Sequence, residues 1–299
     1  MSIRLGLCCV FNVVPIKFGT TTATHILKLE RKKALEKISN LCMSNANALM
    51  EALNYCLQNN IGCFRINSHI LPIKTHPQAG YSIEELPNNE TVVKKFKDCG
   101  DFAKANNIRT CFHPDQFVVL NSPNPEIVRK SIIELEYQTE IAQWVNADVI
   151  NIHAGGGYGD KAKASADFVK NFYKLSMSAR KLLTIENDDK TYTPSDILRI
   201  CENIGVPFVY DVHHHRVLSD DILIEDCTEQ AIKTWNREPM FHLSSPINGW
   251  GEENESQHHD YINVQDFPRC WRDKEITVEI EAKAKELAVK KLFNELNDI

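Results

Sequence analysis

One carboxylate and three imidazoles occur within five residues, at Asp211 and at His213–His215. They follow Phe208–Tyr210, a short apolar run that is typical of a buried strand. Because Asp211 and His214 are separated by two residues, a turn leaving the strand can direct both side chains at one point. Oxygen and nitrogen ligands together favour zinc, manganese or iron over calcium. Taken alone, the segment is compatible with a metal site and equally with a histidine cluster at the surface.

The same pattern, an apolar strand that ends in a ligand-type side chain, recurs along the chain. The six strand-end candidates are His113, His153, Glu186, Asp211, His242 and Glu281. Neighbouring candidates are separated by about the length of one strand–helix unit, roughly 30 residues or more. Two more histidines, His214 and His258, lie in predicted loops near these ends. A single histidine at a strand end usually has a structural role, but six successive strands that each end in a ligand-type residue favour one common site.

The carboxylates among these residues suggest what the site does. Glu186 and Glu281 follow apolar strands, where an unpaired carboxylate is costly and metal coordination removes the cost. Eight ligands exceed a tetrahedral zinc site and favour two or three divalent ions. Glu186 and Asp211 are central in the strand order and are the predicted bridging ligands. With Glu281, they form the predicted catalytic set. Closely spaced metals assist phosphodiester hydrolysis, so this is the predicted chemistry.

The elements that position these side chains alternate between strand and helix. Strands are predicted at 3–9, 62–66, 108–112, 148–152, 182–185, 208–211, 240–241 and 276–280. Helices are predicted at 30–58, 90–105, 125–145, 161–180, 194–203 and 225–235, and near the C-terminus. Eight such units predict a single α/β domain over 1–299, a (β/α)8 TIM barrel whose strand C-termini open on one face. A doubly wound open sheet is the alternative, but no GxGxxG follows the first strand.

Composition excludes several classes of protein. Apolar residues make up 43% of the 299, which is enough for a large core. No run of about 18 apolar residues and no charged-then-apolar leader is present, so we expect a cytoplasmic protein without a membrane partner. The ten cysteines show no CxxC spacing and are expected to be reduced, buried thiols. The net charge of −6 disfavours a globally basic nucleic-acid binder, although bound divalent metals add positive charge locally.

Nine segments resemble the UV damage endonuclease family, in the same order and over nearly the whole chain. They are Arg4–Gly6, Phe64–Ser68, His113–Leu120, Asn151–Gly156, Ile185–Asp188, Asp211–His214, His242–Ser245, His258–Tyr261 and Glu281–Glu286. The barrel and its ligands also resemble endonuclease IV of abasic-site repair and, more remotely, the sugar-isomerase barrels. The fold implied is therefore a TIM barrel of the xylose isomerase and endonuclease IV kind.

The resemblance implies an endonuclease that nicks double-stranded DNA immediately 5′ of cyclobutane dimers and 6-4 photoproducts, and often of abasic sites. The products carry 3′-hydroxyl and 5′-phosphate ends. Two or three divalent metals per chain are implied, Mn²⁺ foremost, with Mg²⁺, Zn²⁺ or Co²⁺ as alternatives. Carried over by motif, the metal ligands are His113, His153, Glu186, Asp211, His214, His242, His258 and Glu281. We expect a monomer that works at the nucleoid of a prokaryotic cytoplasm.

Four residues are expected to contact DNA: three from the resemblance, and His76 from its place in the chain. Gln116 and Phe117 occupy the positions that probe the lesion, Asn12 matches an asparagine of the first loop, and His76 lies in the loop after strand two. The alternative for Phe117 is a core position in its apolar run, and for His76 a solvated loop histidine. The basic residues expected beside these loops, where they could meet phosphates, are Lys17, Arg65, Lys74, Lys190 and Arg216.

Three details of the motifs bear on this assignment. His258 is preferred to His259 because the family places its histidine two residues before the aspartate of Asp260–Ile262. The family often has a lysine, which can be carboxylated, where this chain has Met240, so one metal is expected to bind more weakly. Leu7 replaces a family aromatic, which puts one lesion-side contact in doubt.

Three other functions remain open. An abasic-site endonuclease of the endonuclease IV kind would use the same ligands without a preference for photoproducts. A metal-dependent sugar isomerase or epimerase needs fewer ligands and leaves His113 and His258 unexplained. A non-enzymatic, metal-dependent DNA-binding module would have closed metal coordination and no turnover.

Overall fold

Eight short strands, each of four or five residues, pair in parallel and in sequence order, and the last pairs with the first. They are β1 (Arg4–Cys8), β2 (Cys63–Ile66), β3 (Arg109–Phe112), β4 (Val149–His153), β5 (Leu183–Glu186), β6 (Phe208–Asp211), β7 (Met240–Leu243) and β8 (Thr277–Ile280). The structure, a computed structural model, describes residues 3–298. The predicted (β/α)8 barrel is confirmed.

Helices surround the barrel and cover the outward-facing side chains of its strands. They are α1 (Ala23–Ile26), α2 (Arg31–Gln58), α3 (Asn89–Ala105), α4 (Pro125–Trp144), α5 (Lys161–Phe172), α6 (Met177–Leu182), α7 (Pro194–Ile204), α8 (Val212–Val217), α9 (Ile224–Lys233) and α10 (Glu286–Asn297). Helix α7 shows how local sequence sets the bounds. A capping box of Thr193 and Asp196 starts it, and Gly205, at φ 68°, ends it.

Two predicted segments differ in the structure. The single helix predicted over 161–180 is wrong, because Tyr173–Ser176 interrupts it and the Ser176 hydroxyl accepts a hydrogen bond from the Ala179 amide to start α6. The turn predicted after strand six is a short helix, α8, which begins directly behind Asp211. Both differences arise from side chains that cap helices, a local effect that apolar periodicity does not report.

The connection from β7 to β8 contains no α-helix in the described chain. It has two 3-10 turns instead, Val264–Asp266 and Arg269–Trp271. Trp271 is fully buried against Phe241 and Phe267 and donates its indole hydrogen bond to Thr228. This packing substitutes for the missing helix and leaves a long segment, 244–263, free to fold over the end of the barrel.

Strand register determines which side chains meet inside the barrel. His153 pairs in register with Glu186 on the next strand, and Asp211 pairs with His242. Gly6 on β1 leaves space for the Glu279 side chain of β8, because a Cβ on Gly6 would lie 3.3 Å from the Cγ of Glu279. The interior therefore accommodates charged side chains rather than a purely apolar filling.

Two predictions from composition can be compared with the structure. All ten cysteines are free and eight of them are buried, as expected for reduced thiols. Within residues 3–298, every helix is too short or too polar to cross a bilayer.

Candidate metal centre

The six predicted strand-end ligands meet at the C-terminal mouth of the barrel. His153, Glu186 and Asp211 are the last residues of β4, β5 and β6. His113 and Glu281 directly follow β3 and β8. The sixth, His242, lies within β7. Parallel strands of a barrel all end on one face, which is why residues so distant in sequence converge here.

Glu186 is at the centre of the cluster, with four imidazoles around its buried carboxylate. Its Oε2 lies 3.0 Å from His113 Nε2 and 3.9 Å from His153 Nε2. Its Oε1 lies 3.1 Å from His242 Nδ1 and 3.4 Å from His214 Nδ1. Each oxygen thus faces two imidazoles, which is the arrangement that a bridging carboxylate needs.

These separations are compatible with shared metal ions. Two ligands that each lie about 2.1 Å from one metal are about 3 to 3.5 Å apart. Most of the nitrogen–oxygen distances around Glu186 fall in or near that range. Three overlapping groups of possible ligands share these atoms: His113, His153 and Glu186; His113, His242 and Glu281; and Glu186, Asp211 and His214.

Asp211 and His214 are held together by the start of α8. One carboxylate oxygen of Asp211 accepts a hydrogen bond of 2.8 Å from the His214 amide, which is an N-cap interaction. The other oxygen lies 3.6 Å from His214 Nδ1. Asn187 fixes the strand end through its side-chain amide, which donates to the Asp211 carbonyl and accepts from the Asp211 backbone amide, each at 2.9 Å. The two-residue spacing seen in the sequence is therefore realised as a cap and not as an open turn.

His242 contacts a second carboxylate on its other nitrogen. Its Nδ1 faces the cluster, 3.4 Å from Glu281 Oε1, whereas its Nε2 lies 2.9 Å from Glu279 Oε2. Glu279 is itself bonded to the Arg65 guanidinium at 2.7 and 2.9 Å and accepts from the Cys111 thiol at 3.1 Å. Arg65 Nη2 also lies 3.0 Å from His242 Nε2. When Nε2 donates to Glu279, this carboxylate fixes the tautomer and leaves Nδ1 available for a metal.

His258 completes the predicted set from the long β7–β8 connection. Its Nδ1 lies 3.8 Å from Glu281 Oε2, and its ring is 6.4 Å from that of His214. The exposed neighbour His259 instead accepts a hydrogen bond from the Tyr261 amide. The preference for His258 over His259 thus agrees with the geometry.

Several buried polar atoms in the cluster make no hydrogen bond of acceptable geometry, even where, as for Glu186 Oε1 and His242 Nδ1 at 3.1 Å, they lie close together. They are Glu186 Oε1, Asp211 Oδ2, His153 Nδ1 and His242 Nδ1. Buried polar atoms in proteins are nearly always satisfied, so a concentration of unsatisfied ones at one point requires an explanation. Nitrogen and carboxylate oxygen donors of this kind suit divalent transition metals. The residues therefore fit a metal centre.

The charges of the cluster reinforce that conclusion. Burial raises the pKa of Glu186, but the surrounding imidazoles, foremost His242, hold it well below its ordinary value. Burial lowers the pKa of His242, but the carboxylates of Glu186 and Glu281 together outweigh burial and raise it to about 10. The pKa of His214 is likewise raised, against burial, by Asp211 and Glu186. Metal ions would replace these protons, because coordination needs deprotonated imidazoles.

Sequence reasoning missed three residues that orient the ligands. Asn151 donates a hydrogen bond of 2.5 Å to Glu186 Oε2, Asn187 anchors Asp211, and Glu279 contacts His242. Each lies on, or just after, a strand that carries a ligand. The signal for Asn151 and Glu279 was a polar side chain inside an otherwise apolar strand, two residues before a ligand and therefore on the same face. Asn187, just after β5, had no such signal.

Three of the four predicted DNA contacts line a groove of about 1980 Å³ that also includes His153, His214, His258 and Glu281. The three are His76, Gln116 and Phe117. Phe117 is 77% exposed, so the alternative of a core position is wrong. Asn12 is exposed but lies outside the lining of this groove, and its backbone amide donates to the Glu286 carboxylate.

Of the five basic residues expected beside the DNA-binding loops, some line the groove and others do not. Lys74 and Lys190 line the groove. The prediction that Arg65 meets phosphates is wrong, because its side chain is buried inside the barrel and pairs with Glu279 and Glu281. Arg216 donates to a backbone carbonyl, that of Asp266. Lys17 is exposed and outside the groove lining.

The two departures from the family motifs are both buried. Met240 packs with Cys63, Cys111 and Val149 inside the barrel. Leu7 is fully buried in the core between barrel and helices, where it has no access to the groove. The structure thus gives Leu7 no place among the DNA contacts.

Comparison with known proteins agrees with the motifs. The family model for UV-endonuclease UvdE matches residues 3–299. The chain belongs to the UvdE family. A UV DNA damage endonuclease of Bacillus velezensis is 33% identical over 304 residues, with 97% of this chain and 92% of the relative covered. The resemblance inferred from the sequence is confirmed, and with it the prediction of an enzyme of the nuclease class.

Two solved structures share the fold of this chain. The crystal structure of SacUVDE matches with a TM-score of 0.87 and 31% identity, over 99% of this chain and 98% of that one. Endonuclease IV from Thermus thermophilus matches with a TM-score of 0.62 and 14% identity over the same shares, a likeness of fold alone.

Proposed function

We propose that this UvdE-family protein is a metal-dependent DNA repair endonuclease that cleaves immediately 5′ of UV photoproducts and of abasic sites. The products would carry 3′-hydroxyl and 5′-phosphate ends. The observation that carries the proposal is the cluster of ligand atoms without partners, which is open to a large groove. The names of the relatives support the choice of substrate.

The metals would be held by the eight side chains described above, with Glu186 shared between sites. The ligand set is mixed nitrogen and oxygen, which suits Mn²⁺ and also admits Zn²⁺, Co²⁺ or Mg²⁺. Bound divalent ions supply Lewis acidity that assists the hydrolysis of a phosphodiester. The chain's own part is to fix the ligands: Asn151 orients Glu186, and Glu279 orients His242.

The groove favours a polymeric substrate over a small one. Its volume, about 1980 Å³, exceeds the roughly 300 to 1,000 Å³ of typical small-molecule sites. A sugar isomerase or epimerase would need a smaller, more enclosed site. The open mouth also argues against a binding module with closed coordination. An endonuclease IV-like preference for abasic sites remains the second candidate, because endonuclease IV from Thermus thermophilus has a similar fold.

Phe117 and Gln116 are the residues that we expect at the lesion. Both are exposed on the loop after β3 and line the groove. An exposed aromatic ring at this place has no packing role in the free protein. It could instead fill the gap that a damaged base leaves in the stack, as apolar wedges do in other DNA-binding proteins.

Nicking of supercoiled plasmid tests the proposal. Untreated, UV-irradiated and depurinated plasmids are incubated with the Mn²⁺-loaded protein and, in parallel, with chelator. We expect Mn²⁺-dependent nicking of the irradiated and depurinated samples. Nicking of the depurinated plasmid alone would favour the endonuclease IV-like candidate, and no nicking of any sample by metal-loaded protein would contradict both.

A variant separates lesion recognition from chemistry. Phe117→Ala should reduce the preference for irradiated over untreated plasmid and leave the metal content unchanged. An unaltered preference would remove Phe117 from the lesion contacts.

The monomeric state that we propose is checked by size-exclusion chromatography with light scattering.

A further inference from the structure

Tyr158 is an exposed aromatic residue of the groove with no role so far. It lies in the loop between β4 and α5, and 52% of it is exposed. The groove that it lines is the one that contains His153, His214 and Phe117. Since a tyrosine of this exposure gains little from burial, its position calls for an explanation other than core packing.

The backbone of Tyr158 is in the left-handed region, at φ 47°. Residues with a bulky side chain rarely adopt this conformation, because the Cβ crowds the backbone. Such strained residues persist only where the surrounding structure enforces them, and they concentrate at functional sites. Here the strain turns an aromatic side chain toward the groove.

Two hydrogen bonds from neighbouring loops and one within the loop hold the segment that carries Tyr158. The Gly156 carbonyl accepts hydrogen bonds from Asn121 Nδ2 at 2.8 Å and from the Tyr192 hydroxyl at 3.4 Å. The Asp160 amide donates to the Gly157 carbonyl at 2.9 Å. Asn121 and Tyr192 belong to the loops that follow β3 and β5, so the three neighbouring loops are tied together. The Tyr158 side chain therefore extends from a loop whose backbone is fixed by hydrogen bonds.

The ring itself lies over Gly156. A Cβ placed on that glycine would be 3.1, 3.2 and 3.4 Å from three atoms of the Tyr158 ring. One side of the ring is thus supported by the loop backbone, while about half of the residue remains open to the groove. This is the geometry of a platform onto which another flat group can stack.

We propose that Tyr158 stacks on a nucleotide that flanks the phosphate at the metal centre. The proposal deepens the function proposed above and rests on it. Tyr158 follows the ligand His153 by five residues, so their Cα atoms are at most about 18 Å apart. A strand of DNA spans such a distance in a few nucleotides. Base–aromatic stacking tolerates any sequence, which suits an enzyme that must act wherever damage occurs.

Two variants act on the ring in different ways. Tyr158→Ala removes it. Gly156→Ala shifts it by a few tenths of an ångström, since the three atoms nearest to the added methyl group are ring atoms of Tyr158 at 3.1 to 3.4 Å and the backbone at 156 is not left-handed. Tyr158→Phe keeps the ring and deletes the hydroxyl. Tyr173→Ala is the matched control, because Tyr173 is similarly exposed, at 56%, and lies outside the groove lining.

The test measures nicking kinetics on a fluorescein-labelled duplex with one abasic site, using Mn²⁺-loaded protein. We expect Tyr158→Ala to raise KM about tenfold with little change in kcat, as the loss of one stacking contact predicts. Gly156→Ala should act in the same direction, and Tyr158→Phe and Tyr173→Ala should match the wild type. Fluorescence anisotropy of the duplex without metal should show the same order of affinities, and elemental analysis should show unchanged metal content.

The outcomes are distinguishable. If the wild type nicks the duplex and Tyr158→Ala has its KM within twofold of that of Tyr173→Ala, stacking by Tyr158 is overturned and the nuclease remains. A lower metal content in Tyr158→Ala would also overturn the proposal, since the effect would then arise at the metal centre. If the wild type nicks no DNA at all, the proposed function fails and this inference fails with it.

Discussion

The two ends of the barrel both carry charged side chains, but they use them differently. At the N-terminal end, Arg109 makes a bidentate pair with Asp148 at 2.9 and 3.0 Å, and Arg4 makes one with Glu238. Thr277 links the two pairs, because its hydroxyl accepts from Arg109 and donates to Glu238. At the C-terminal end, carboxylates and imidazoles face one another with several atoms left without partners.

This difference separates structural charges from functional ones. A partly buried ion pair whose hydrogen bonds are satisfied, as in these two, needs no further group and serves the fold. Beside these N-terminal pairs, Arg237 Nε lacks a hydrogen bond, but it still lies 3.2 Å from Asp148. Unsatisfied ligand atoms, in contrast, mark the place where an additional group completes the structure. Four predictions test whether this distinction holds.

The largest effect is expected from Glu186→Gln. The amide keeps the size of the side chain but loses the charge and one acceptor oxygen. Replacement of residues that only orient metal ligands costs about 10- to 100-fold, so a shared ligand should cost more than about 100-fold in Mn²⁺ affinity and in nicking. Isothermal titration calorimetry and plasmid nicking measure both. Glu238→Gln is the matched control at the other end and should preserve both; equal losses in the two variants would invalidate the comparison.

Glu279→Gln should have the next largest effect. Glu279 contacts His242 and Arg65 but faces away from the cluster, so its loss acts through the orientation of His242. We expect Mn²⁺ affinity to fall about 10- to 100-fold. Calorimetric titration measures it. Cys111→Ser keeps a donor to Glu279 and should retain the wild-type affinity, and a Glu279→Gln protein that binds as tightly as Cys111→Ser would contradict the prediction.

Metal binding should stabilise the wild-type fold. A ligand at 100 times its Kd that binds only the folded state adds about 2.7 kcal/mol to the free energy of unfolding. For a chain of this size we expect a rise in Tm of several degrees on addition of Mn²⁺, reversed by chelator. Scanning calorimetry measures the shift. Glu186→Gln should show little of it, and an equal shift in that variant would place the binding elsewhere.

The smallest effect is expected at the N-terminal end. Burial raises the pKa of Glu238, but hydrogen bonds from Arg4 and Thr277 outweigh it and lower the pKa below its ordinary value. A carboxylate with a lowered pKa stabilises the fold above its unfolded pKa, about 4.3, and loses this contribution as the pH falls. Glu238→Gln should therefore cost about 1 kcal/mol at pH 7 and less in acid. Urea unfolding at pH 7 and pH 3.5 compares the two; an equal cost at both would refute the linkage.

The sequence predicted the barrel and its ligands well because both depend on local repeats. Short apolar strands ending in His153, Glu186 or Asp211 could be read without knowledge of tertiary contacts, since parallel strands of a closed barrel must end on one face. The spacing of Asp211 and His214 indicated that both side chains reach one point, but not that the carboxylate caps a helix. The amino-acid order thus determined which side chains reach the mouth.

Only the tertiary structure decided what lies around the ligands. Arg65 turns into the barrel, and its partner Glu279 is 214 residues away in sequence, a pairing that no local pattern encodes. Which residue meets a polar strand side chain at the barrel axis depends on the register between strands, and barrel closure sets that register. The same holds for Tyr158, whose ring position depends on hydrogen bonds from two neighbouring loops. Residue types and spacing determined the ligands, and long-range packing determined their orientation and surroundings.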